Sequence, residues 1–196
     1  MTSPLENLIN LTAKLPGLGK KSATRIALHL LKNREKLMHP LADAIIATEA
    51  SIKTCEICGN YDISSPCHIC VDEKRDKSTI MVLEDVSDLW AINRGRIYNG
   101  VFHILGGALS AMDGVGPDKL NIASLLAKVS SGEVKEVILA TNATMEGQTT
   151  AHYLSQRLQE FNIKITRLAQ GVPLGGEIEY LDEGTLLTAL NSRRDF

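Results

Sequence analysis

The four cysteines of the chain form two Cys-x-x-Cys pairs, Cys55 with Cys58 and Cys67 with Cys70, and eight residues separate the pairs. Zinc takes four thiolates in a tetrahedron, and each such turn presents two sulfurs at chelating distance, so two turns complete one shell. A complete shell leaves no coordination position open for a substrate. The spacing therefore predicts one structural Zn²⁺ per chain rather than a catalytic one.

Two disulfides or a redox pair are the alternatives for these cysteines. The first ten residues contain an acid and no apolar segment of a secretory signal, so we expect the chain to work in the reducing cytosol, where disulfides are rare. A redox Cys-x-x-Cys motif also has no need of a second copy. His68 lies inside the second pair, but four cysteines already satisfy the metal, so we expect this histidine to lie outside the ligand set.

A glycine-rich turn beside basic residues is the second pattern with a chemical meaning. Gly17 and Gly19 allow the backbone to approach a phosphate closely, and the free N–H groups at the start of the next helix attract its charge. Lys20, Lys21 and Arg25 lie near that helix start, where they can contact phosphates as well. Such contacts do not read bases, which predicts sequence-independent DNA binding. A helical hairpin with a solvated basic face is the alternative.

Apolar periodicity predicts that helices flank this turn. The segment Ser3-Pro4-Leu5-Glu6 is typical of a capping box and predicts a helix that continues to Pro16. A second helix is expected from Lys20 to about Lys32, and a third at residues 41–53, leading into the cysteine loop.

The remainder of the chain alternates short β-rich segments with helical ones. We expect a solvated charged linker at 71–77, strands at 78–84, 101–105, 134–140 and 163–168, and helices at 86–93, 120–129 and 148–161. This alternation predicts a largely parallel sheet with helices on both faces, whose functional residues lie beyond the carboxyl ends of the strands. The loops 84–88, 106–118 and 141–147 are therefore the expected functional loops.

Charge is distributed unevenly along the chain. The formal net charge is -2, yet residues 1–53 contain eight Lys and Arg against four Asp and Glu, a local balance of +4. A basic N-terminal segment is compatible with a polyanion at that end of the protein. No segment approaches the ~20 consecutive apolar residues of a membrane span, so no membrane partner is expected.

The hairpin turn, the four-cysteine loop and four later motifs occur in the order seen in the RecR family of bacterial recombination mediators. The chain resembles this family over nearly its whole length. The hairpin turn is similar to the helix-hairpin-helix motif of DNA-binding proteins. The further motifs are Ile80-Met81-Val82-Leu83-Glu84, His103-Ile104-Leu105-Gly106-Gly107, Ala140-Thr141-Asn142-Ala143-Thr144-Met145-Glu146-Gly147 and Gly171-Val172-Pro173-Leu174-Gly175-Gly176-Glu177-Ile178-Glu179-Tyr180.

That resemblance implies an α/β Toprim domain with a parallel-rich sheet, preceded by a small all-α helix-hairpin-helix module and a four-cysteine zinc finger. The implied boundaries are 1–53 for the hairpin module, 54–76 for the finger, 77–172 for the Toprim domain and 173–196 for a C-terminal oligomerisation segment. It also implies a non-catalytic, cytoplasmic and nucleoid-associated DNA-repair factor. Such a factor binds DNA, works with RecO and in some settings RecF to load RecA onto single-stranded DNA, and assembles into rings, commonly tetramers.

The expected Toprim site departs from the pattern of catalytic members. These enzymes hold Mg²⁺ with an acid after the first strand and an Asp-x-Asp pair after a later one. Glu84 matches the first acid, but residues 141–144 read Thr-Asn-Ala-Thr, so a Mg²⁺-dependent nuclease or primase-like enzyme is the less favoured alternative. By family resemblance we expect Glu84, Asp88 and Glu146 to dock RecO, although they could be ordinary solvated acids. A scaffold whose hairpin binds protein is a third hypothesis.

Overall fold

The computed structural model describes residues 3–193, which form two compact units that divide between Ile52 and Lys53. The N-terminal unit contains α1 (Pro4–Thr12), α2 (Lys20–Lys32), a π-helical turn (Arg34–Met38) and α3 (His39–Ser51). The C-terminal unit contains, in chain order, β1 (Lys53–Thr54), β2 (Tyr61–Asp62), α4 (His68–Val71), β3 (Asp76–Leu83), α5 (Val86–Arg94), β4 (Gly100–Ile104), α6 (Ile122–Ser130), β5 (Glu136–Leu139), α7 (Met145–Leu158), β6 (Lys164–Arg167) and α8 (Glu183–Asn191).

The predicted capping box begins α1. Ser3 Oγ accepts a hydrogen bond from the Glu6 N–H at 3.2 Å, and the Glu6 carboxylate accepts one from the Ser3 N–H at 2.9 Å. The sequence analysis had predicted that this helix continues to Pro16, but it ends at Thr12. Leu15 precedes a proline, and a residue in that position disfavours the α conformation. The N–H groups of Lys14 and Leu15 therefore bond to carbonyls three residues earlier, as in a 3₁₀ turn.

The two following helices lie close to their predicted positions. The helix α2 spans Lys20–Lys32 as predicted, and Ala23, Ala27 and Leu30 form its buried face. The helix α3 begins at His39, two residues before the predicted start, because proline suits the first turn of a helix and Pro40 lies there.

Four parallel strands form the main sheet in the order β4-β3-β5-β6, which confirms the predicted parallel sheet. Successive residues of the central strand β3 point to opposite faces. Ile80 and Val82 pack on one face with α6 and α7, whereas Met81 and Leu83 pack on the other face with α5 and the cysteine loop. The cysteine loop is therefore part of the core of the C-terminal unit and not a detached finger.

The segment before β3 is more structured than the predicted solvated linker. The strand β3 begins at Asp76, and the half-buried guanidinium of Arg75 donates hydrogen bonds to the Gly100 carbonyl at 3.0 Å and to Asn93 Oδ1 at 2.6 Å. The same guanidinium lies 5.6 Å from the centre of the Phe102 ring, a cation–π distance. Arg75 thus links the start of β3 to the start of β4.

The chain after β6 contains the helix α8, which the sequence analysis had not predicted. Asp182 caps this helix by accepting a hydrogen bond from the Thr185 N–H at 2.9 Å. None of its residues is buried within the chain, and the segment from 171 to 193 exposes Leu174, Leu187 and Leu190. Residues 194–196 of the predicted oligomerisation segment lie outside the described residues. In the part of the chain that the structure describes, no helix is both long and apolar enough to cross a bilayer.

Candidate metal centre and nucleic-acid interface

The four cysteine sulfurs lie within 4.8 Å of one another, and all four residues are buried. The Sγ atoms of Cys58 and Cys67 are 3.5 Å apart, and those of Cys55 and Cys70 are 3.9 Å apart. A tetrahedral zinc with Zn–S bonds of about 2.3 Å requires sulfurs about 3.8 Å apart, whereas a disulfide requires about 2.05 Å. The cysteines therefore form a four-sulfur metal-binding site, and the disulfide alternative is wrong because all four thiols are free.

The electrostatics of the cluster also fit a cation. A hydrogen bond from the Cys70 thiol lowers the pKa of Cys58 to about 5, and the pKa of Cys70 is raised because its proton is held against that thiolate. Burial raises the pKa of Cys67 to about 11. Four thiolates cannot share this buried space unless a positive ion compensates their charge, and a set of four sulfurs suits zinc.

The histidine of the second cysteine pair lies outside the sulfur cluster. His68 Nδ1 is 2.6 Å from Asp62 Oδ2, and the imidazole is largely exposed. The backbone N–H of His68 and then its ring hold the pKa of Asp62 below its usual range. The expectation that His68 is not a ligand is therefore consistent with its position at the start of α4, where its ring contacts Asp62 of β2.

The cysteine loop contacts the edge strand β4 and the helix α5. The Ile104 N–H of β4 donates to the Cys58 carbonyl at 2.8 Å, and a Cβ on Gly59, whose φ is +83°, would lie only 3.1 Å from Ile104 Cβ. Trp90 Nε1 on α5 donates to Asn60 Oδ1 at 3.0 Å. The sequence analysis missed Asn60, a buried polar residue next to the first cysteine pair.

The hairpin turn of the N-terminal unit is open. Gly17 has φ of +75°, which favours glycine, and a Cβ on either Gly17 or Gly19 would meet no atom within 4 Å. Gly19 precedes the first turn of α2 and has no side chain to cap it. The first N–H groups of α2 therefore face a space that an external acceptor can enter.

The basic residues predicted for DNA binding lie beside this open turn. Lys20, Lys21 and Arg25 are exposed, and the first turn of α2 contains no acid. Among residues 3–193, none of the three has a carboxylate within the 4.0 Å of an ion pair. The predicted glycines and cations thus lie together at one helix start, with charges that no carboxylate of the described residues compensates.

The carboxyl ends of β3 and β5 form what we call the strand-end site, composed of Glu84, Asn142 and Gly147. Glu84 is 9% exposed, and its Oε1 accepts a hydrogen bond from the Asn142 backbone N–H at 2.8 Å while its Oε2 accepts one from Asn142 Nδ2 at 2.7 Å. A Cβ on Gly147 would lie 2.7 Å from Glu84 Oε1 and closer still to the Asn142 carbonyl. Both carboxylate oxygens are thus engaged by amide groups of the same chain.

The other two acids predicted for docking lie nearer the surface. Asp88, in the first turn of α5, accepts a hydrogen bond from the Asp85 N–H at 3.1 Å and lines a cavity of about 370 Å³ beyond the strand ends. Arg167 lies on the same cavity wall. Glu146 is exposed in the first turn of α7. The structure therefore places Asp88 and Glu146 within reach of a partner and Glu84 beneath the surface.

Known protein families match three parts of this chain. The RecR helix-hairpin-helix family matches residues 5–48, the Toprim domain family matches residues 78–169, and the RecR C-terminal family matches residues 171–194. The α/β unit is thus a Toprim domain, as the sequence had predicted.

Curated relatives match over nearly their whole length. The chain is 58% identical to "Recombination protein RecR" of Mesorhizobium japonicum over 98% of this chain and 96% of that protein. It is 56% identical to the protein of the same name from Brucella anthropi, over 96% and 94% of the two chains, and 54% identical to that from Sinorhizobium fredii, over 98% and 96%. With its helical hairpin, four-cysteine site and Toprim domain in this order, the chain belongs to the RecR family.

Proposed function

We propose that this chain is a DNA-binding recombination mediator of DNA repair, associated with the nucleoid and without catalytic activity. It acts with RecO, and in some settings with RecF, to load RecA onto single-stranded DNA. The observation that carries this proposal is the identity of 54–58% to relatives named "Recombination protein RecR" over at least 94% of their length. The geometry of the two units supports an assignment of residues to each part of this function.

DNA binds at the hairpin turn in this proposal. The first N–H groups of α2 and the cations Lys20, Lys21 and Arg25 contact phosphates, while the glycines Gly17 and Gly19 allow the DNA backbone to come close. The open space above both glycines and the uncompensated charges support this assignment. Because phosphates are alike along a strand, binding is independent of base sequence.

Zinc occupies the four-cysteine site in this proposal. The sulfur separations of 3.5 and 3.9 Å and the all-thiolate donor set support zinc, one ion per chain. Because the cysteines pack in the same cluster as Met81 and Leu83 of β3, the metal stabilises the Toprim domain as well as its own loop. The ion has a structural role, since four thiolates leave it no open position.

The absence of phosphodiester chemistry follows from the strand-end site in this proposal. A Mg²⁺ ion of a Toprim enzyme needs several carboxylates. Residues 141–144 contain no aspartate, and Asn142 donates hydrogen bonds to both carboxylate oxygens of Glu84. A metal-dependent cleavage assay, with Glu84→Gln as the control, tests the nuclease alternative, and cleavage that depends on Glu84 would contradict the proposal.

The acids around the strand ends dock RecO in this proposal. Asp88 and Glu146 are accessible and supply the negative charge of the contact, while Glu84 acts from beneath by fixing the loop at Asn142. A basic surface on the partner would complement these acids, so capture of RecO should weaken as salt is raised.

Self-association into a ring, commonly a tetramer, completes the proposal. Two segments of the described chain leave apolar side chains exposed, which supports contacts between copies. On α3 these are Leu41, Ile45 and Ile46, exposed by 43%, 61% and 66%, and the C-terminal segment adds Leu174, Leu187 and Leu190.

One native experiment tests the proposal as a whole. The purified chain is mixed with single-stranded or double-stranded DNA of several sequences, with and without RecO, and the mass of each complex is measured over a salt series. We expect an oligomer that binds DNA regardless of sequence, releases it as salt rises, and captures RecO. A monomer that binds neither DNA nor RecO would contradict the proposal. Capture of RecO without any DNA binding would favour the scaffold hypothesis.

A further inference from the structure

Lys128, in the last turn of α6, extends its ammonium group toward the first cysteine pair. Its Nζ donates a hydrogen bond to the carbonyl of Ile57, which lies between Cys55 and Cys58 in the chain. The half-buried side chain shares the wall of a cavity of about 330 Å³ with Ile57 and Cys70. A cationic group is therefore held against the backbone of a metal-binding turn.

The same ammonium contacts His103 on the edge strand β4. His103 Nε2 is 2.8 Å from the Asn121 carbonyl oxygen, and because a carbonyl only accepts, Nε2 carries the ring proton. His103 Nδ1, 2.9 Å from Lys128 Nζ, therefore accepts a hydrogen bond from the ammonium. Burial, and then the positive charge of Lys128, lower the pKa of His103 to about 4, so the ring is neutral near pH 7. The single positive charge of this pair resides on Lys128.

No carboxylate in the part of the chain that the structure describes forms an ion pair with Lys128. Among the described residues, none lies within 4.0 Å of Lys128 Nζ, and Glu133, which lines the same cavity, lies beyond that distance. Burial lowers the pKa of Lys128, and the sulfurs of Cys58, Cys70 and Cys55 oppose that effect. Four thiolates around one divalent cation leave two negative charges uncompensated, and a partly buried cation is stable where opposite charge faces it.

Lys128 reaches the metal-binding site from the opposite side of the sheet. The helix α6 packs on the face of the sheet that carries Ile80 and Val82, whereas the cysteines pack on the other face. The strand β4 is an edge strand of the sheet, and the cysteine loop lies against it, since the Ile104 N–H donates to the Cys58 carbonyl. Its two hydrogen bonds, to Ile57 and to His103, connect the two sides of the Toprim domain at the metal-binding loop.

We propose that Lys128 is the cationic partner of the metal–thiolate centre, a positioning residue that fixes the Ile57 carbonyl, compensates part of the sulfur charge and thereby slows release of the metal. The inference rests on the proposal that zinc occupies the four-cysteine site. Groups of this kind around a metal centre typically change metal affinity by roughly 10- to 100-fold. A neutral residue at this position should therefore leave the fold intact and make the metal easier to remove.

The rate of zinc transfer from the full chain to a chromogenic chelator tests this role. We expect release from Lys128→Met and Lys128→Gln to be about tenfold faster than from the wild type or faster, and release from Lys128→Arg to stay within about threefold of the wild type. Lys119→Met is the matched control, because Lys119 Nζ also donates to a backbone carbonyl, that of Gly114 at 2.8 Å. This control should release zinc at the wild-type rate.

The glutamine variant separates charge from hydrogen bonding, because its amide can still donate to the Ile57 carbonyl. Wild-type release from Lys128→Gln would overturn the role of charge, and wild-type release from Lys128→Met would overturn the whole inference. If Lys128→Met does not fold, the comparison of glutamine with arginine decides the question. A wild-type chain that neither contains nor takes up zinc would contradict the zinc proposal itself, whereas a loaded wild type with unaffected variants would contradict only the role of Lys128.

Discussion

The hairpin turn and the strand-end site both combine glycines with polar groups, but they use them in opposite ways. At the hairpin, Gly17 and Gly19 face empty space, no side chain caps the first N–H groups of α2, and within residues 3–193 the neighbouring cations have no carboxylate partner. At the strand-end site, Gly147 faces Glu84 and Asn142, which bond to each other.

The hairpin turn therefore leaves its polar groups available to an external ligand, whereas the polar groups of the strand-end site are satisfied within the chain. Unsatisfied donors and free cations are stable at a surface where water solvates them, and phosphate oxygens can replace that water. A buried carboxylate requires donors at all times, and Asn142 supplies them. A Toprim fold can therefore keep an acid at the catalytic position, here Glu84, while the carboxylate oxygens of that acid hold the loop at Asn142.

Removal of the metal should have the largest effect, and it should act on the cysteine loop and the Toprim core packed against it rather than on the hairpin turn. Binding of structural zinc contributes on the order of 10 kcal/mol to folding of small sites, so chelation should unfold the cysteine loop. Trp90 is the single tryptophan and is bonded to Asn60 of that loop, so its fluorescence should change on chelation. Unchanged Trp90 emission after complete removal of the metal would show that the loop does not depend on it.

Adding one methyl group should distinguish the two glycine environments. Gly147→Ala should lower the free energy of unfolding by about 3 kcal/mol, because the new Cβ would overlap Glu84 and the Asn142 carbonyl. Gly19→Ala is the matched control and should cost less than about 1 kcal/mol, since its Cβ meets no atom. Chemical denaturation measures both values, and equal losses would remove the distinction between an open and a closed site.

Acid should destabilise the Toprim domain through His103. Its pKa in the folded chain is about 4 and lies below the ordinary value of 6.5, so the unfolded chain binds the proton more tightly. Stability should therefore fall as the pH drops from about 6.5 to 4, by about 3 kcal/mol from this group. Unfolding measured at several pH values should show a weaker pH dependence in His103→Gln. Identical profiles for variant and wild type would mean that His103 is not buried in its neutral form.

Local sequence patterns predicted the parts of the molecule that local chemistry decides. The spacing of the cysteines predicted the sulfur cluster, the Ser3 to Glu6 segment predicted a capping box, and the alternation of strands and helices predicted the parallel sheet. In each case the residues that interact are close in sequence, or the pattern repeats with the period of the element.

Contacts between distant segments could not be predicted in this way. Lys128 and Ile57 are 71 residues apart, and Glu84 and Asn142 are 58 apart, so only the order of strands in the sheet brings them together. The departure from the Asp-x-Asp pattern at residues 141–144 indicated that metal ligands are missing. It did not indicate that Asn142 donates hydrogen bonds to both carboxylate oxygens of Glu84. The helix α8 was missed because its apolar residues are exposed and the preceding segment is rich in glycine.

DNA binding over a salt series is the most direct test of the claim that the hairpin is the open, ligand-binding site. Lys21→Ala combined with Arg25→Ala should weaken binding of all sequences by about 10- to 100-fold at low salt. It should reduce the slope of log affinity against log salt by about 1.4 for single strands, because two phosphate contacts are lost.

Glu146→Ala, which removes an exposed acid of the Toprim domain, is the control and should not weaken DNA binding. Stability of the double variant should stay within about 0.5 kcal/mol of the wild type, since both side chains are exposed. A folded double variant that binds DNA with wild-type affinity and salt dependence would contradict the assignment of the hairpin as the DNA-binding face.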